Sequence, residues 1–311
     1  MLLNPEVLTI LILDFLFLFF GSIAFILSIK IFLRWDLNST SQKQYLLEKQ
    51  SFLASTIIKY IFMLKIPLFL FFIFTLDKIA NILTGAMCGA GVVDATNYGV
   101  YLLLLKILNI YIFAFWLALH FTDIKDEKQP YTKLKFGIFI LIFFLFLGEL
   151  ILEYLMFSNI NINQMVDCCG TLYSNTAQSY ISYIFKIDNL VILEIFYTTY
   201  VLMIISYFIK NKYFYTLLNL FFIFISIISL IVFFGTYIYE LPTHHCPFCF
   251  LQKDYYYIGY FIYSLLFLGT FNGMLSIFSN KLKLSIFLNS IFVFILTTYP
   301  IVFYIKNGVW L

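Results

Sequence analysis

The chain has 311 residues, of which 63% are hydrophobic, 22% aromatic and only 11% charged, with a net charge of +3. A soluble domain carries about 25% charged residues, so this chain cannot cover a globule of its size with polar groups. That excludes a soluble enzyme, a disordered chain and a nucleic-acid binder.

The apolar runs are also too long for the strands of an outer-membrane barrel, which cross with about 10 alternating residues. Helices satisfy their own backbone in lipid and are the alternative. A crossing helix needs about 20 apolar residues. The sequence predicts eight spans, at 7–33, 60–80, 98–120, 136–157, 188–209, 214–239, 255–278 and 284–305. The first is too long for a signal-peptide core and no small-residue cleavage site follows it, so it is expected to be retained. Segment 42–59, ahead of the second span, mixes polar and apolar residues and reads as an interfacial helix.

Lys and Arg in the connections set the orientation. Lys30, Arg34, Lys43, Lys49, Lys125, Lys128, Lys133, Lys135, Lys210, Lys212, Lys281 and Lys283 fall on one side, against Lys78, Lys186, Lys253 and Lys306 on the other. The first set is assigned to the cytoplasm. The expectation is an all-α polytopic transmembrane bundle, one integral domain over 1–311, with both termini extracytoplasmic in a bacterial inner membrane. The partner expected from this alone is the lipid bilayer.

The outer side then holds three substantial connections, 81–97, 158–187 and 240–254. All five cysteines, Cys88, Cys168, Cys169, Cys246 and Cys249, lie in them, joined by His244 and His245. Cysteines serving as apolar filler would scatter among the spans. The outer compartment is oxidising, so thiols there are bridged, metal-bound or catalytic.

The densest run is His244-His245-Cys246-Pro247-Phe248-Cys249-Phe250-Leu251-Gln252-Lys253, placed at the entrance of the seventh span. At a helix start, unpaired N–H groups and the helix dipole favour a thiolate, the nucleophile of disulfide exchange. Two imidazoles beside it add positive charge or accept the thiol proton. Pro247 suits a first helical turn.

The stretch Cys246 to Lys253, followed by an aromatic span, resembles the quinone-linked thiol oxidases of the periplasmic disulfide pathway (DsbB type). More loosely, it resembles the vitamin K epoxide reductase group. The resemblance covers about 20 residues. It implies that Cys246 and Cys249 cycle between dithiol and disulfide and pass electrons to a membrane quinone. The family carries a basic residue, usually Arg, four positions after the second cysteine and next to the quinone; Lys253 stands there in this chain. His244 and His245 would tune the same site. The family's bundle has four helices, against eight spans here. A thiol oxidase of this kind also needs a second pair that meets a soluble thioredoxin-like partner. Asp167-Cys168-Cys169-Gly170 supplies two cysteines for that role, and adjacent cysteines bridge only through a strained ring. One of them bridging Cys88 is an equal alternative.

Cys88 lies in Gly85-Ala86-Met87-Cys88-Gly89-Ala90-Gly91, whose glycines permit a tight turn. The Walker spacing and its Lys are missing, which argues against phosphate binding. A rival reading of the same residues is transition-metal handling. Cys88, Cys168, Cys169, His244, His245, Cys246 and Cys249, with Met87, are soft or borderline ligands suited to copper, zinc or iron. A third reading is a non-catalytic subunit, associated with other membrane subunits and stapled by disulfides. Within the spans, Asp14, Lys106, Glu149, Glu153 and Glu194 are ionisable. Glu149 and Glu153 share a helix face, and Lys106 is expected to pair with Glu149 or Glu194. A proton or cation route is the functional alternative.

Overall fold

The computed structural model describes every residue except 37, 38, 40, 127, 163, 164, 167–186 and 278–280. Eight of its helices are long and apolar enough to cross a membrane. They are α1 (Pro5–Arg34), α2 (Gln42–Ala80), α4 (Gly99–Asp123), α5 (Thr132–Asn159), α6 (Asn189–Ile209), α7 (Lys212–Tyr239), α8 (Ile258–Leu275) and α9 (Leu282–Asn307). A short helix, Gly89–Asp94, is α3. No strand occurs among the described residues. The chain is a multi-pass membrane protein of the all-α class.

Local sequence explains where the helices start and stop. Asn4 caps α1, its side chain accepting from Glu6 N at 3.0 Å, and Pro5 opens the first turn. Ser41 caps α2, Asp188 caps α6 and Asn211 caps α7, each accepting a backbone N–H. Between α6 and α7, Lys210 adopts φ 59°, and the chain reverses within Lys210 and Asn211.

One expectation changes at α2. Segment 42–59 does not form a separate interfacial helix; it continues the second span without a break. Buried Gln44, Leu47, Ser51, Ala54, Ile58, Ile61 and Lys65 recur every three or four residues, so one stripe runs through the polar stretch and on past it. At 39 residues the helix is about 58 Å long, well beyond the hydrocarbon core of about 30 Å.

The chain divides into two compact units: Met1–Ile82 with Val92–Gln164, and Leu83–Gly91 with Met165–Leu311. In the first unit α1, α2, α4 and α5 pack in a closed ring, each against two neighbours. Phenylalanine fills it. Phe62 stacks on Phe113 at 4.4 Å between centroids, and Phe25 on Phe143 at the same spacing. In lipid, helices associate through close packing and polar contacts, because the solvent is as apolar as the side chains. The polar contacts here are charged. Lys106 Nζ lies 2.9 Å from Glu149 Oε1 and 2.8 Å from Glu153 Oε2. Lys65 Nζ lies 2.9 Å from Glu149 Oε1 and 2.7 Å from Asp14 Oδ1. Lys106 therefore pairs with Glu149, as expected, while Glu194 is exposed on α6.

In the second unit α6, α7, α8 and α9 also form a ring of four. Its buried polar contacts among the described residues are neutral, and its one ion pair there, Lys306 with Glu240, is exposed. Gly269 and Gly273, one turn apart on α8, let two asparagines approach its backbone: a Cβ at Gly269 would strike Asn289, and one at Gly273 would strike Asn219. Asn219 donates to Thr270 O, and Ser285 donates to Gly269 O at 2.7 Å.

Candidate functional site

The sulfur-bearing segments belong to the second unit. Cys88 sits in a turn that Gly85 makes possible. Gly85 has φ +93°, and a Cβ there would collide with the carbonyl of Val166. The Val166 N–H donates to Thr84 O at 3.0 Å, which fixes the turn, and Gly91 N donates to Cys88 O at 3.1 Å as α3 begins.

The segment carrying Cys246 and Cys249 follows α7. A π turn at Leu230–Phe234 interrupts α7 near its end. Such turns displace carbonyls from the regular ladder, and Ile231 O accepts from His245 Nδ1 at 3.0 Å. That bond places the imidazole proton on Nδ1. Burial lowers the His245 pKa, with a further lowering from His244, against the hydrogen bonds that raise it. Tyr239, the last residue of α7, donates its hydroxyl hydrogen to Cys246 O and accepts from Phe250 N at 3.1 Å. Tyr263 OH, on α8, donates to Pro247 O at 3.0 Å. Two elements, α7 through Tyr239 and α8 through Tyr263, thus hold the Cys-x-x-Cys segment by its own backbone.

Its conformation differs from the expected helix start. Cys249–Leu251 is a single 3-10 turn, Gln252 is extended, and a second 3-10 turn covers Lys253–Tyr255. Tyr256 and Tyr257 then take positive φ, and α8 begins only at Ile258. The dipole of α8 therefore does not end at the cysteines. Phe248 N instead donates to Cys246 Sγ at 3.4 Å.

The two segments meet. Cys88 Sγ lies 3.3 Å from Cys246 Sγ. Cys88, Cys246 and Cys249 have sulfurs that all lie within 4.8 Å of one another, and all three residues are buried. Gln252 Nε2 donates to Met87 O at 3.1 Å and ties the segments together beside the sulfurs. His244 packs edge-on against Tyr239 at 4.4 Å, and its Nε2 is buried without a hydrogen-bond partner. Among the described residues the three-sulfur group contains no histidine. Lys253 is exposed on its turn, whereas the sulfurs are buried. Cys168 and Cys169 lie outside the described residues.

The sequence placed Cys246 and Cys249 together and left Cys88 without a settled partner. Tyr239, Tyr263, Gln252 and Ile231, which hold the site, carried no signal beyond being polar or adjacent to it. Chemically, three thiols at this spacing suit two processes. One is exchange of a disulfide among three sulfurs. The other is capture of a thiophilic ion, since sulfurs bound tetrahedrally to zinc at about 2.3 Å stand ~3.8 Å apart.

No protein-family model, no curated protein and no solved structure matches the chain. The fold and site by themselves define a multi-pass helical membrane protein with a buried three-cysteine cluster.

Proposed function

We propose that the protein is a membrane thiol–disulfide oxidoreductase of a bacterial inner membrane, with its exchange site on the extracytoplasmic face. The observation that carries this reading is the meeting of Cys88 with the Cys246–Cys249 pair, at 3.3 Å from Cys246. Oxidation of the Cys246–Cys249 dithiol releases two electrons and two protons and forms one S–S bond. A membrane quinone that takes up both becomes a quinol, which balances the step. The Cys88 thiolate then attacks Cys246, forms a Cys88–Cys246 bond and releases the Cys249 thiolate. This second step moves the disulfide without net redox change.

The sulfurs are buried, so a bulky soluble protein does not meet them directly. In this reading Cys168 and Cys169 relay electrons from a thioredoxin-like partner. The unit that carries the motif has four spans, the number found in the bundle of the quinone-linked thiol oxidases that the motif resembles. Lys253 is exposed beside the motif, and its ammonium group is available to donate to a quinone carbonyl.

Thiol counting on purified protein tests this. After full reduction, a short-chain quinone should remove the Cys246 and Cys249 thiols and yield one quinol per pair formed. Cys246→Ser should abolish both. Unchanged thiols with no quinol formed would overturn the proposal.

The mutual spacing of the three sulfurs favours one second reading, a site for copper, zinc or iron. It calls for a stoichiometric metal in the isolated protein that is lost on Cys246→Ser or Cys88→Ser.

A further inference from the structure

The charged group inside the first unit draws on all four helices of its ring. Asp14 comes from α1, Lys65 from α2, Lys106 and Asn109 from α4, and Glu149 and Glu153 from α5. Every one of them is buried, Glu153 and Asn109 completely. The rings packed over the ammonium groups are Phe146 for Lys65 and Phe72 for Lys106.

Formal charge does not balance here. Three carboxylates face two ammonium groups, which leaves one negative charge in excess within an apolar bundle. An uncompensated buried charge is among the costliest features a membrane protein can hold. The hydrogen bonds show where the excess sits. Glu149 is fully engaged: Oε1 accepts from both lysines at 2.9 Å, and Oε2 accepts from Asn109 Nδ2. Asp14 and Glu153 each face one lysine through one oxygen. Their other oxygens, Asp14 Oδ2 and Glu153 Oε1, are buried without a hydrogen-bond partner. The two carboxyl groups are close enough to act on one another electrostatically. Two carboxylates can only accept, so a hydrogen bond between them would require a hydrogen on one of them.

We propose that Asp14 and Glu153 together bind one exchangeable proton inside the membrane-spanning part of the first unit. The proton supplies the missing donor and cancels the excess charge in one event, as in paired carboxyls elsewhere. A metal cation fits less well. Two ammonium groups lie within 3 Å of the same carboxylates and repel it, and few oxygens remain unengaged to replace its hydration shell. There is also space for a water beside the group. A cavity of about 10 Å³ is lined by Lys65, Lys106 and Glu149, which is close to the space one water needs. This site is independent of the sulfur chemistry. It makes the first unit a proton-loading element.

Infrared spectroscopy on the full-length protein in lipid nanodiscs at neutral pH tests the proposal. The expected result is a carbonyl stretch from a protonated carboxyl group that shifts in heavy water. It should be unchanged when sodium is replaced by choline, and absent from both Asp14→Asn and Glu153→Gln. Lack of the band in the unsubstituted protein, its disappearance on adding sodium, or its persistence in both variants would overturn the assignment. If a variant fails to fold, the band and its sodium response in the unsubstituted protein still decide the matter.

Discussion

Cys88 and Cys246 are 158 residues apart in sequence, yet their sulfurs lie 3.3 Å apart. The contact is held from both sides by backbone. Gly85 turns the chain under Cys88, and Tyr239 clamps the segment that carries Cys246.

The Tyr239 hydroxyl is central to that clamp. Tyr239→Phe leaves Cys246 O and Phe250 N–H without this partner. A buried orphan polar group costs about 1–3 kcal/mol. The variant should unfold at lower temperature than the parent, and its Cys246 and Cys249 should react faster with a small maleimide. Unchanged thermal stability and alkylation rates would show that the hydroxyl is dispensable.

Gln252 offers a milder test of the same geometry. Its amide reaches Met87 O across 165 residues of sequence. Gln252→Ala should cost about 1 kcal/mol and raise the alkylation rate of Cys88 more than that of Cys249. Equal acceleration of both would place the effect elsewhere.

Close packing in the second unit predicts a contrast between glycines. Gly273→Leu drives a side chain into Asn219 and should destabilise by roughly 1–3 kcal/mol. Gly148→Ala should be close to neutral, because its Cβ would meet only Leu105, at 3.6 Å. Thermal unfolding in detergent measures both.

His245 predicts a pH dependence. Burial holds its pKa below the usual 6.5, so the folded protein keeps the imidazole neutral where the unfolded chain already binds a proton. The contribution is therefore fully present above the usual value. It is lost as pH falls through the lowered one. The melting temperature should drop on mild acidification, and His245→Gln should drop less over the same interval. Parallel pH profiles would contradict this.

Most of the architecture was legible because spans are read from length and apolarity, which are local properties. The eight expected spans correspond to the eight helices, and most of their ends agree to within a few residues. The ends that moved did so for tertiary reasons. Segment 42–59 looked interfacial because polar residues dominate its composition, yet its buried stripe from Gln44 to Lys65 belongs to the ring. The seventh span was expected to open on the cysteines. Two 3-10 turns and the positive φ at Tyr256 and Tyr257 delay α8 to Ile258. Cys246 and Cys249 were visible as a motif because their spacing is local. The role of Cys88 was not, since nothing in Gly85–Gly91 specifies a partner so far along the chain. Asp14 likewise has no partner legible in the sequence and Lys65 does not stand out there, although both complete the Lys106–Glu149–Glu153 group.

The convergence of the three sulfurs is tested most directly by cross-linking. In a Cys168→Ser/Cys169→Ser/Cys249→Ser protein, mild oxidation followed by peptide mapping should yield one product, a Cys88–Cys246 disulfide formed in high yield. Recovery of Cys88 and Cys246 as separately alkylated peptides after the same oxidation would contradict the shared site.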